Sequence, residues 1–129
     1  MRRILILALC LALLCVSAAA EPLRVEFGDT FSLLRPADLE VQELGEEDIS
    51  EGLVYAAMSE TLEMYVWALE TDGQTADELF AEWQEDEYLS NFTVSSVGNT
   101  RCLTYEIEGE GPGALFVCDD GTYYDFIFY

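Results

Sequence analysis

The sequence predicts an α+β fold: a mostly antiparallel sheet of about six to seven strands, one amphipathic helix packed on one face, and an N-terminal signal helix before them. Three observations carry this prediction. Short apolar runs recur between clusters of Gly, Pro, Asn and Asp. A single internal segment, residues 76–87, has helical period. The first twenty residues, MRRILILALCLALLCVSAAA, have the three parts of an export leader.

In that leader Arg2 and Arg3 precede an unbroken apolar run over residues 4–16, and Ala18-Ala19-Ala20 supplies a small-x-small exit. Such a run reaches ~20 Å as a helix, short of the ~30 Å hydrocarbon core, so a cleaved signal is expected rather than a spanning helix. Cleavage before Glu21 leaves one exported domain over residues 21–129. Cys10 and Cys15 each follow a leucine, which does not suit a lipid anchor, and both depart with the leader.

Downstream, residues 24–27 form a first short strand, and residues 31–36 a second that Pro36 stops. Leu39, Val41 and Leu44 mark a short strand over 39–44. Residues 45–52 are polar and read as a flexible loop. A hairpin follows over 53–58 and 62–70. With Glu60-Thr61 as its two-residue loop, Tyr55 faces Val66, Ala57 faces Met64, Ala56 faces Tyr65 and Val54 faces Trp67. Both faces of this hairpin are apolar. The helix over 76–87 begins at a capping box, Thr75 with Glu78, and Ala76, Leu79, Phe80 and Trp83 form its apolar stripe.

A strand over 92–97 leads into a three-strand meander: 101–108, 114–119 and 122–129. Alternation puts Leu103, Tyr105, Ile107, Leu115 and Val117 on one face. A register setting Cys102 opposite Cys118 is compatible with that face and with a cross-strand disulfide. In an exported chain that retains two cysteines, one disulfide is the expected state. Asp120-Gly121 reads as a two-residue hairpin loop. That loop adds Tyr124, Phe126 and Phe128 to the buried face and leaves Tyr123, Asp125 and Ile127 on the other.

Charge and composition exclude several functions. Loss of Arg2 and Arg3 leaves Arg24, Arg35 and Arg101 against 26 acids, a net charge of −23. This surface repels nucleic acid and anionic lipid. With no histidine and no lysine, the usual general base, the usual zinc ligand and amine nucleophiles are missing. No Gly-rich phosphate loop or EF-hand pattern occurs. Glu106 and Glu108 are a conceivable acid/base pair, although a solvated strand face explains them as well. Asn91-Phe92-Thr93 matches a glycosylation sequon.

If both hairpins share a sheet, Val54, Tyr65, Trp67, Phe116, Tyr123 and Ile127 collect on the face opposite the helix as a candidate binding face. The competing expectation is that Phe27, Phe31, Leu33, Leu34 and Leu39 fold over that face.

The order of short strands, long hairpin, helix and meander resembles the PsbP/Mog1-like α+β domains over residues 31–129. The phrases Phe31-x-Leu33-x-x-Pro36-x-x-Leu39-x-Val41, Gly52-Leu53-Val54-Tyr55 and Asp120-Gly121-Thr122-Tyr123 carry the resemblance. It implies a binding or assembly factor rather than an enzyme, and it assigns no residue a role. The sequence thus predicts a small secreted module of bacterial type that contacts a protein or small ligand. It is expected to use no cofactor and no metal, to bind no nucleic acid, and to have no stable membrane insertion after cleavage. The alternative is a carboxylate-dependent hydrolase or a calcium-binding accessory domain.

Overall fold

A computed structural model describes residues 22–28 and 31–129; the leader lies outside them. The chain divides after Leu39 into two units. In the first, β1 (Leu23–Phe27) and β2 (Phe31–Arg35) form an antiparallel hairpin with Phe27 opposite Phe31. Arg24 Nη1 donates to Ser32 Oγ at 2.6 Å across the hairpin. The Arg35 guanidinium donates to the Leu39 carbonyl, closing the turn that Pro36 begins.

The second unit is an antiparallel seven-stranded sheet with two helices, in keeping with the α+β prediction. Its elements are β3 (Glu40–Val41), α1 (Glu46–Ser50), β4 (Leu53–Met58), β5 (Glu63–Glu70), α2 (Ala76–Gln84), β6 (Leu89–Val97), β7 (Thr100–Ile107), β8 (Gly111–Val117) and β9 (Thr122–Phe128). The strand order is β3-β4-β5-β9-β8-β7-β6. The last strand in sequence is therefore the central strand in space. This explains why residues 123–129 are apolar or aromatic at every position but one: a central strand has two faces to bury.

The β4–β5 hairpin forms as expected around Glu60-Thr61. Ser59 N donates to Leu62 O at 2.8 Å, and Tyr55, Ala56 and Ala57 pair with Val66, Tyr65 and Met64. One pair differs. A bulge between Leu53 and Tyr55 sets Leu53, not Val54, opposite Trp67. The α2 helix starts at the expected capping box, with Glu78 N donating to Thr75 Oγ1 at 3.3 Å and Thr75 N to Glu78 Oε2 at 2.9 Å. Leu79 and Phe80 bury against Leu103, Tyr105, Leu115 and Val117, with Trp83, Ile107 and Tyr123 at the margin.

Two local expectations are corrected. Residues 45–52 are not a loop throughout, because α1 occupies 46–50. The Asp48 carboxylate accepts from Gly45 N at 3.1 Å, and three acids stand in the first turn, where the helix dipole favours them. Ile49 is 58% exposed, so α1 has no buried stripe and hence no periodicity to read. The strand expected over 39–44 is only β3, two residues long.

The larger correction concerns the meander. Val117 pairs with Tyr123, so the loop holds three residues, Asp119-Asp120-Gly121, rather than two. Gly121 has φ +85°, and Cys118 N donates to Thr122 O at 2.9 Å. One extra loop residue shifts the register by one and turns every β9 side chain over. Tyr123, Asp125 and Ile127 therefore share the α2 face with Leu103, Tyr105 and Leu115. Tyr124, Phe126 and Phe128 lie on the other face, where Phe126 meets Phe116 edge-on at 5.2 Å. The loop between β7 and β8 is likewise tighter than expected, which places Cys102 opposite Phe116 and two positions out of step with Cys118. Both cysteines are buried, and no disulfide is formed among the described residues.

Candidate functional site

Seven strands at ~4.8 Å spacing make a sheet ~29 Å wide, whereas a helix with its side chains covers only ~10–12 Å. On its face of the sheet α2 covers the β7–β8 side, and α1 lies against β4. Beside α1 a groove of about 340 Å³ opens, lined by Asp48, Leu53, Glu63, Tyr65, Trp67 and Tyr129.

The sheet register places these residues side by side. Tyr65 and Trp67 are alternate residues of β5 and so point the same way. Glu63 and Tyr129 exchange backbone hydrogen bonds at 3.0 Å, which puts the chain's last residue beside Tyr65. The Tyr65 ring lies 6.1 Å from Trp67 at 34° and 5.8 Å from Tyr129 at 77°. Each tyrosine hydroxyl is tied to a carboxylate. Tyr65 donates to Glu63 Oε2 at 3.0 Å, and Tyr129 donates to Glu110 Oε2 at 3.2 Å. Burial, then these carboxylates, push both phenols above the usual tyrosine range, so both stay protonated donors.

Beside the groove, on the same face, lies a buried polar pair. Asp125 stands opposite Trp67 on β9 and accepts a hydrogen bond from the Tyr105 hydroxyl. Tyr105 reaches it by laying its ring across Gly113 of β8. A side chain at position 113 would collide with that ring, which is why glycine occupies a central strand there. Trp83 of α2 packs on Tyr105 at 5.3 Å and closes the pair from above. Burial raises the Asp125 carboxyl to about 6, against the lowering effect of its bond from Tyr105.

The structure brings together only part of the expected binding face. Tyr65, Trp67, Tyr123 and Ile127 share a face, but it is the face that carries α2. Phe116 lies on the other face, and Val54 sits in the β4 bulge with 45% of its surface exposed. Tyr123 packs beside α2, away from the groove. Sequence reasoning missed Asp48, Glu63, Tyr129 and Asp125. For Asp125 a signal was present: it is the one acid inside an otherwise apolar strand. Glu106 and Glu108 line a separate depression with Glu87 and Tyr88, where Glu106 Oε2 accepts from Asn91 Nδ2 at 2.7 Å.

The described residues contain no group of three or more His, Cys, Asp or Glu that could hold a metal ion. No helix among them is long and apolar enough to cross a membrane. No family model matches the chain, and no curated protein matches it.

Proposed function

We propose that this chain is a small secreted binding module without catalytic activity, directed outside the cytoplasm by its leader, with the β5–β9 groove as its contact surface. One observation carries the reading. Three aromatic rings, from Tyr65, Trp67 and Tyr129, line an open groove of ligand size on a rigid central sheet. Tyrosine and tryptophan supply large contact area at small conformational cost, which is why they dominate binding surfaces. The resemblance to PsbP/Mog1-like domains, whose members are mostly binding or assembly factors, points the same way. The test is affinity capture from the exported fraction by the protein and by its Trp67→Ala/Tyr65→Ala double variant, with folding checked by circular dichroism. Loss of the captured partner in the variant is expected. Equal capture by both proteins would remove the groove as the contact surface.

The alternative, carboxylate chemistry, draws on the depression that Glu87, Glu106 and Glu108 line. A hydrolytic activity lost in Glu106→Gln, or a rise in melting temperature with calcium lost in the same variant, would favour it over the binding reading.

A further inference from the structure

We infer that the groove takes a small organic cation, a free quaternary ammonium compound whose head group sits against Trp67, Tyr65 and Tyr129. The inference rests on the reading of the groove as the contact surface and adds the chemistry of its occupant. Tyr65 and Tyr129 stand near a right angle and the Trp67 ring is tilted 34° from Tyr65, so the rings do not form a flat stack. Walls at these separations bring a compact cation within the ~6 Å over which an aromatic face attracts positive charge. A phenol that donates its proton to a carboxylate gains electron density in its ring, and both tyrosines do so.

The charges around the groove have one sign. Asp48 and Glu63 line it, Glu110 holds Tyr129, and Asp125 is the cross-strand neighbour of Trp67. No basic side chain lines it. The chain has no lysine at all, and Arg101 is engaged at α2, paired with Asp77 at 2.8 Å and lying over the Phe80 ring. None of the residues that line the groove therefore supplies a cation to neutralise it. Rings rather than paired carboxylate forks form the walls. That favours an alkylated ammonium, with charge spread over methyl groups, above a hydrated primary amine or a guanidinium. A groove of about 340 Å³ suits a head group of this size.

The test is a titration of the purified protein with choline chloride, read by tryptophan fluorescence against sodium chloride at equal ionic strength. The neutral isostere 3,3-dimethyl-1-butanol is titrated in parallel. Expected are a saturable change with choline, binding of the isostere at least tenfold weaker, loss in Trp67→Ala, retention within a few-fold in Trp67→Phe, and a several-fold loss in Glu63→Gln. Equal binding of choline and its isostere would overturn the cation assignment and leave the contact-surface reading intact. So would a choline response no larger than that of sodium chloride. A trimethyllysine peptide that binds where choline does not would overturn the small-molecule assignment in favour of a protein ligand. A choline response retained in Trp67→Ala would overturn the groove as the cation site, and unchanged partner capture by the Trp67→Ala/Tyr65→Ala variant would separately remove the contact-surface reading.

Discussion

Asp125 is flanked by Tyr124 and Phe126 on the central strand, and its carboxyl is held at about 6 rather than 3.8 by burial. A carboxyl whose folded pKa lies above its unfolded value binds its proton more tightly in the folded chain. Between about pH 4 and pH 6 the folded state holds more protons than the unfolded state, so stability falls as pH rises through that window and levels off above it. Two pKa units correspond to roughly 3 kcal/mol, an upper figure for this group. Asn at position 125 keeps an acceptor for Tyr105 and removes the titration. Asp125→Asn is therefore expected to lose less stability than the native protein between pH 4.5 and pH 7.5, by about 2 kcal/mol, in urea denaturation at the two pH values. The exposed acids act on both proteins alike, so the difference between the two isolates Asp125. Equal losses would show that the carboxyl titrates alike in the folded and the unfolded chain.

At the scale of elements, legibility depended on whether a segment's signal was local. The α2 capping box and stripe, and the Glu60-Thr61 turn, are set by neighbours in sequence and fold as read. The β8–β9 turn is not settled locally. Asp120-Gly121 fits a two-residue loop with both residues at positive φ, and it equally fits a three-residue loop in which only the glycine needs it. The structure takes the second form, and among Asp119, Asp120 and Gly121 only Gly121 has positive φ. Because one residue of slip exchanges the faces of β9, this ambiguity hid the Asp125 site and assigned Tyr123 and Ile127 to the wrong side. The groove was half legible: Tyr65 and Trp67 follow from alternation along β5. Tyr129 and Glu63 meet through a pairing of chain segments more than sixty residues apart, and no local pattern encodes that. The turn assignment has its own consequence. Gly121→Ala forces a side chain into the left-handed region and is expected to cost about 1–2 kcal/mol by chemical denaturation. Asp120→Gly is expected to give no gain, since residue 120 already has negative φ. Stabilisation by Asp120→Gly would indicate the two-residue loop instead.

Across the whole molecule, the 26 acids and five basic residues leave a net charge of −21 on 129 residues. Over residues 40–129 the one basic side chain is Arg101, whose exposed pair with Asp77 adds little. Cohesion therefore comes from the sheet and its apolar faces, while the surface works against compaction by self-repulsion. Salt at 0.3 M shortens the screening length to well below 10 Å and removes most of that repulsion between exposed charges. Raising sodium chloride from 20 to 300 mM is expected to raise the melting temperature by several degrees, the equivalent of about 1 kcal/mol. A flat response would mean that the acids are spaced too widely to repel one another. Choline chloride at the same ionic strength separates the two roles of this charge. Screening predicts equal shifts from the two salts, whereas a groove that holds a quaternary ammonium predicts a further rise with choline, by mass action on the folded state. That additional rise should vanish in Trp67→Ala while the response to sodium chloride is kept, because removing one ring changes the site and leaves the net charge untouched.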